Sequence, residues 1–274
     1  MNDLNITFIG AGNMAKSLIG GLIAKGFNPS QITAADPFEA SRTSIATLGI
    51  HVTSDNLSAI AAANVVVLAV KPQMMEEVLA PLKDQLATNQ PLIISIAAGI
   101  DLRSLEAWTN SSMPIVRCMP NTPALLQQGA TGLYANAHTT TSQKASAEQL
   151  LEAAGMTCWV ATEELLDAVT AVSGSGPAYF FLFIEAMIDE GVKLGLDHQT
   201  ASELAIKTCA GAAAMAANSS EPVAALRQQV CSPGGTTERA VAAFEKGDLR
   251  GLVAKAMQDC AARADSLAQE LGAK

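Results

Sequence analysis

The apolar positions of this chain change their period part-way along it. Up to about residue 162, short β-branched runs alternate with stretches whose apolar residues recur every three or four positions, as in strands alternating with amphipathic helices. Residues 5–10 read as a strand. Residues 12–25 read as a helix with Met14, Leu18, Leu22 and Ile23 on its inner face, ended by Gly26. A second strand over 32–36 stops at Asp36-Pro37, and a helix over 39–48 leads to a short strand near 50–53. Asp55 and Asn56 cap the next helix. Residues 64–70 are a continuous β-branched run, as a buried parallel strand requires. A helix over 73–87, a strand over 91–96, a helix over 101–109 and a strand over 115–119 follow. Residues 129–136 and 156–160 are further candidate strands around a helix over 142–154.

From residue 163 to 274 only helical patterns remain, so the chain reads as α/β with two domains, 1–162 and 163–274. Pro177 suits the first turn of a helix, and the next two turns, Ala178-Tyr179-Phe180-Phe181-Leu182-Phe183-Ile184, are apolar nearly all round. Such a helix is expected to be buried on every side. The Ala- and Gly-rich stretch 201–217 demands close neighbours, and Leu249, Leu252, Val253, Ala256, Met257, Cys260, Ala264, Leu267 and Leu271 form one stripe. About 110 residues of such helices hardly hide this much apolar surface alone, so association through this half with a second copy is expected.

The first strand-to-helix turn carries Gly10-Ala11-Gly12-Asn13-Met14-Ala15, the G-x-G-x-x-A spacing of a dinucleotide fingerprint. Gly10 permits the tight turn, Gly12 lets a pyrophosphate approach the backbone, and Ala15 lets the helix pack close to its strand. The anion then meets the free N–H groups at the helix start. The first domain is therefore a Rossmann-type doubly wound sheet. Asp36, at the end of the second strand, is placed to bond adenosine ribose hydroxyls and to repel a 2′-phosphate, with Arg42 near enough to compensate. The competing reading is a helix cap before Pro37. Lys71, after the strand over 64–70, is a cofactor-contact candidate, because ligands lie outside the carboxyl ends of such strands. Ala97-Ala98-Gly99 leaves room for a flat ring, and Pro120-Asn121-Thr122-Pro123 is a fixed loop with two polar side chains at another strand end.

With 274 residues, 49% hydrophobic and 16% charged, the chain is core-rich. A formal charge of -9 argues against nucleic acid. No signal peptide and no apolar run of membrane-spanning length are read. The five scattered cysteines, without a C-x-x-C pair, suggest cytoplasmic thiols and neither a metal site nor a disulfide framework.

The other informative stretch is Ser232-Pro233-Gly234-Gly235-Thr236-Thr237. A glycine turn followed by a Thr-Thr helix start brings N–H groups and hydroxyls together without a basic side chain, which suits a small carboxylate or an ordinary helix cap. A dehydrogenase acting on alcohols needs a proton relay. His51, His138 and His198 lie outside every motif, and the helix after Pro177 has no lysine until Lys193. A C=N bond, readily protonated and then open to hydride at carbon, fits such a site.

Five segments together carry a resemblance: residues 10–15, Ala69-Val70-Lys71-Pro72-Gln73, Met119-Pro120-Asn121-Thr122-Pro123, Ser173-Gly174-Ser175-Gly176-Pro177-Ala178-Tyr179 and Ser232 to Thr237. In order and over almost the whole length, the chain resembles pyrroline-5-carboxylate reductases. The resemblance implies reduction of L-1-pyrroline-5-carboxylate to L-proline with NADPH, or NADH as alternative donor, by a homodimer or a larger ring of dimers. It implies that Gly10, Ala11, Gly12, Asn13, Met14 and Ala15 hold the pyrophosphate and that Asp36 and Asn56 lie near the adenosine. It implies further that Ala69, Val70, Lys71, Pro72, Ala97 and Ala98 line the nicotinamide side and that Asn121 completes the cofactor set. Glu163, Ser175, Ser232, Gly235, Thr236 and Thr237 form the substrate set, Thr237 donating a hydrogen bond to the ring nitrogen. Two alternatives remain. A 3-hydroxyacid dehydrogenase would need a lysine where Tyr179-Phe180-Phe181 stands, and a non-catalytic nucleotide-binding protein would not need the intact Ser232–Thr237 loop.

Overall fold

The computed structural model describes residues 4–109 and 112–272. The chain packs as two units, Met1–Ser175 with Asp259–Lys274, and Gly176–Gln258.

In the first unit, strands β1 (Ile6–Ile9), β2 (Ile32–Ala35), β3 (His51–Thr53), β4 (Val65–Leu68), β5 (Leu92–Ser95), β6 (Ile115–Met119), β7 (Gly129–Ala135) and β8 (Gly155–Trp159) form one sheet in the order β3-β2-β1-β4-β5-β6-β7-β8. The first six are parallel, with Ile6 opposite both Ile32 and Val65. The order reverses between β1 and β4, the place where such sheets bind nucleotides.

Alternation along the strands divides the core in two. Ile6 and Phe8 of β1 and Val65 and Val67 of β4 join Leu18, Ile19 and Leu22 of α1 (Asn13–Ala24). Ile9, Val66 and Leu68 face the other way, toward Met75 of α4 (Met75–Leu79) and Leu105 of α6 (Leu102–Trp108). This is the period-2 consequence of a sheet covered on both faces. Helices α2 (Glu39–Ala46), α3 (Asn56–Ile60), α5 (Lys83–Asn89) and α7 (Thr141–Leu151) complete the layers.

Within the sheet and its covering helices, two features depart from the sequence reading. The helix expected over 73–87 is broken: tight turns Pro72–Met74 and Ala80–Leu82 flank α4, and α5 starts at Lys83. Pro81 removes an N–H and its ring crowds the preceding turn. Strands β7 and β8 are present but run against the other six, β7 pairing antiparallel to β6 and parallel to β8. The short link through the turn Thr122–Leu126 is no crossover, so β7 must return antiparallel.

After β8 the first unit continues through α8 (Leu165–Val169) and a π-helical turn, Thr170–Gly174, to Ser175, with Leu166 and Ala171 buried. The sequence pattern changes at 162, whereas the packing division falls at Ser175 and again inside the last helix.

The second unit holds α9 (Gly176–Lys193), α10 (His198–Ala217), α11 (Val223–Gln229), α12 (Thr236–Lys246) and the first part of α13 (Leu249–Leu271). The expectation that α9 is buried is corrected within one chain: Phe180, Phe181 and Leu182 are 61%, 65% and 67% exposed. The expectation that no run reaches membrane length is corrected too. The continuous helical stretch Leu165–Lys193 is 29 residues long, and an 18-residue window within it reaches mean hydropathy 1.3, so it qualifies by length and composition. It qualifies because the π-helical turn joins α8 to a helix that is apolar all round. An apolar surface this large calls for a partner surface, and a second copy supplies a self-complementary one. Light scattering at micromolar concentration is expected to give a dimer or larger; a monomer would refute this covering.

Candidate active site

The turn after β1 is fixed from both sides of the reversal point. Gly10 donates its N–H to the Ala35 carbonyl at 2.7 Å, and Ala69 donates to the Ile9 carbonyl at 2.8 Å. Gly10 has φ +102, and a Cβ there would lie 2.5 Å from the Ala69 oxygen. Only glycine fits a turn pressed against the next strand's end. Helix α1 then starts at Asn13 behind Gly12, without a side-chain cap. A Cβ on Gly12 would meet nothing within 4 Å. Uncapped N–H groups facing open space fit the pyrophosphate of a dinucleotide.

Asp36 is buried beside this turn. Its Oδ2 accepts the Ala11 N–H and its Oδ1 the Phe38 N–H, both at 2.9 Å. The N-cap of α2 is Phe38, so the helix-cap reading of Asp36 does not hold. The carboxylate instead ties the glycine turn to the end of β2. Arg42 donates through Nη1 to the Asp36 and Pro37 carbonyls at 2.7 and 2.8 Å. Asp36→Asn keeps an acceptor for the Ala11 N–H and removes the charge. It is expected to shift the NADPH-to-NADH ratio of kcat/KM toward NADPH by at least about fivefold, because a unit-charge repulsion across about 4 Å is worth about 1 kcal/mol even in bulk water and more in a protein cleft. An unchanged ratio in steady-state assays with both donors would leave Asp36 a purely structural tie.

The other cofactor candidates of this unit lie at strand ends or helix starts. Ala69 and Val70 follow β4, and exposed Lys71 precedes the turn at Pro72. Asn56 is the first residue of α3, behind the Asp55 cap. Ala97 and Ala98 follow β5, Ala97 buried and Ala98 exposed. Asn121 is a brace: its Nδ2 donates to the Ser173 carbonyl at 3.0 Å, and its Oδ1 accepts the Ala130 N–H at 2.9 Å. Its side-chain amide is thus committed within the protein.

Beside Ala97 and Ala98 lies a cavity of about 220 Å³, also lined by Arg117, Asp167, Ser175 and Arg263. Glu163 forms an ion pair with Arg117 Nη1, and its Oε1 also accepts the Leu102 N–H at 2.7 Å. Burial raises the Asp167 carboxyl above its ordinary range; Arg117 opposes this, while Asp265, Glu163 and Glu164 add to it. Ser175 Oγ accepts the Cys260 thiol at 3.2 Å. Burial likewise pushes the Cys118 thiol far up, against the pull of Arg117, and Sγ donates to the Ser95 carbonyl, so this cysteine is no nucleophile. Sequence reasoning gave no role to Arg117. Its signal was a charged residue inside the apolar run 115–119.

In the second unit, α12 opens behind Gly235 without a side-chain cap. Gly234 has φ +70 and donates its N–H to Glu238 Oε2 at 2.7 Å, and Gly235 donates to the Ser232 carbonyl at 2.9 Å. Two donors of the expected cradle are therefore used internally. Among the described residues no side chain caps the N–H groups of Thr236 and Thr237, whose hydroxyls stand at the same helix start.

A family model described as pyrroline-5-carboxylate reductase dimerisation matches residues 163–267. A second, described as NADP oxidoreductase coenzyme F420-dependent, matches residues 5–99. The chain is 52% identical to a pyrroline-5-carboxylate reductase of Pseudomonas aeruginosa over 273 residues, 99% of this chain and all of that one. The chain belongs to the pyrroline-5-carboxylate reductase family. The relative from Vibrio alginolyticus is 45% identical, covering 97% of this chain and 98% of its own. Among solved structures, the family member from Coxiella burnetii matches with a TM-score of 0.94 at 42% identity, each chain fully covered. That from Plasmodium falciparum, solved with NADP bound, matches at 0.87 and 29% identity over 98% of this chain and 99% of that one. A nicotinamide dinucleotide as cofactor of this family agrees with the open glycine turn and the uncapped start of α1.

Proposed function

We infer that this chain reduces the C=N bond of L-1-pyrroline-5-carboxylate to give L-proline, the last step of proline synthesis. The observation that carries this reading is the start of α12. Uncapped N–H groups and hydroxyls there suit one small carboxylate, with no basic side chain supplied from the loop. Bound NADPH or NADH supplies the hydride.

The residues do the rest. Thr236 and Thr237 hold the substrate carboxylate, which orients the ring. The Thr237 hydroxyl donates to the ring nitrogen. The imine reacts in its protonated form: as hydride adds to the carbon, the π electrons become the nitrogen lone pair, toward which the Thr237 hydroxyl donates, and the nitrogen keeps the one proton it brought. Alignment of donor and acceptor is the main requirement, because a protonated imine is already electrophilic. A hydroxyacid dehydrogenase is disfavoured because α9 has its sole lysine at its far end, Lys193.

The acidic balance and five free thiols support a cytoplasmic enzyme. The exposed apolar faces of the second unit support a homodimer or a ring of dimers. The test is a steady-state assay with pyrroline-5-carboxylate and each donor. Donor oxidation that depends on substrate and forms proline one-for-one is expected; oxidation without proline would exclude the reading.

A further inference from the structure

Arg117 sits in β6 between the buried residues Val116 and Cys118, and its side chain is 11% exposed. A guanidinium this deep needs a partner, and Glu163, itself 22% exposed, provides it. The same Glu163 Oε1 takes the Leu102 N–H. Leu102 is the first residue of α6, so this N–H has no acceptor within its helix. The loop from Ala97 to Asp101 is thus anchored at one end by β5 and at the other by the Glu163 bond. In its middle, Gly99 has φ +70, and a Cβ there would lie 3.1 Å from Leu267 Cβ.

We propose that Arg117 is a positioning residue for hydride transfer: by orienting Glu163 onto the Leu102 N–H, it fixes the loop whose Ala97 and Ala98 line the nicotinamide side. This rests on the reductase reading above. Arg117 also lines the cavity that Ala97, Ala98 and Ser175 share, so losing it both frees Glu163 and opens space beside the loop. Asp167 lies in the field of the same guanidinium, but no hydrogen bond links it to the loop among the described residues.

The test compares wild type with Arg117→Met, Arg117→Lys and the double variant Arg117→Met/Glu163→Gln. The double variant leaves no unpaired charge and keeps an acceptor for Leu102. Arg117→Met is expected to lower kcat by about 10- to 100-fold, the order of a small misplacement of reacting groups. The primary isotope effect on kcat with deuterated NADPH should rise, with little change in NADPH affinity by fluorescence. Arg117→Lys should recover part of kcat. The double variant should recover Tm but not kcat.

Hydrogen exchange at residues 97–102 gives a readout independent of activity. It should quicken in Arg117→Met and stay quick in the double variant. Unchanged exchange there, a wild-type kcat and isotope effect in Arg117→Met, or a kcat that returns with Tm in the double variant would each overturn the proposal. Faster exchange in variants of a wild type that forms no proline would fault the reductase reading and not the loop anchor.

Discussion

Thr237→Ala is expected to lower kcat by roughly 30- to 1,000-fold, the equivalent of about 2–4 kcal/mol for one hydrogen bond made to developing charge in the transition state. Thr237 occupies the first turn of α12, behind the cap residue Gly235. No side chain caps that turn, and the two glycine N–H groups before it are bonded to Glu238 and Ser232. On the proposed reading, the hydroxyl of Thr237 is a principal donor in a short set. The loss should be bounded, because a protonated imine carries its own positive charge and needs orientation more than a strong acid. Thr237→Ser keeps the hydroxyl and should keep most of the activity. Cofactor affinity, taken separately by fluorescence, should barely change in either variant, since the glycine turn belongs to the other unit. Near-normal kcat/KM in Thr237→Ala would remove the residue from the chemistry and leave the start of α12 with carboxylate binding alone.

Gly10→Ala should act on the other substrate. A side chain at φ +102 is strained by on the order of 1–3 kcal/mol before any collision is counted. The collision is severe as well: the new Cβ would lie 2.5 Å from the Ala69 oxygen and 2.7 Å from its carbon. Both neighbours are backbone, so no rotamer change relieves the overlap. The turn must move off β4, carrying the N–H groups of α1 with it and breaking the bond from Ala11 to Asp36. If the strain alone is relieved at the expense of the bound geometry, affinity falls roughly 5- to 150-fold; the overlap adds to that. NADPH titration by fluorescence should show at least this loss together with a lowered Tm. An unchanged affinity would mean that the turn does not bind the pyrophosphate.

The features behind these two expectations differ in how plainly the sequence shows them. The glycine turn was readable because its residues are adjacent in sequence and each does a local job. The alternation of β1, β4 and β5 was readable because strands covered on both faces leave a continuous apolar run. The reversal of β7 was not, since a period of two carries no direction; the short turn over Thr122–Leu126 decides it. The break near Pro81 was legible in principle, but the apolar periodicity runs through it.

At the site, Asp36 was singled out for its position, yet its bond to Ala11 joins residues 25 apart and has no local signature. The Arg117–Glu163 bridge spans 46 residues and was invisible for the same reason, apart from one charge in an apolar strand. Asn121 stood out as a polar residue between prolines, and its bonds to Ser173 and Ala130 make it a brace. The apolar circumference of α9 was plain, but that pattern gives the amount of surface to be covered and not which chain covers it.

In the proposed reaction, hydride passes to the imine carbon of a substrate held by its carboxylate. The direct measurement is turnover of pyrroline-5-carboxylate with nicotinamide donor deuterated at the transferring position, followed by mass spectrometry and NMR of the proline formed. One deuterium on the ring carbon that was doubly bonded to nitrogen, retained in stoichiometric amount, is the predicted result. Proline without deuterium, or deuterium at the carboxylate-bearing carbon, would contradict the account.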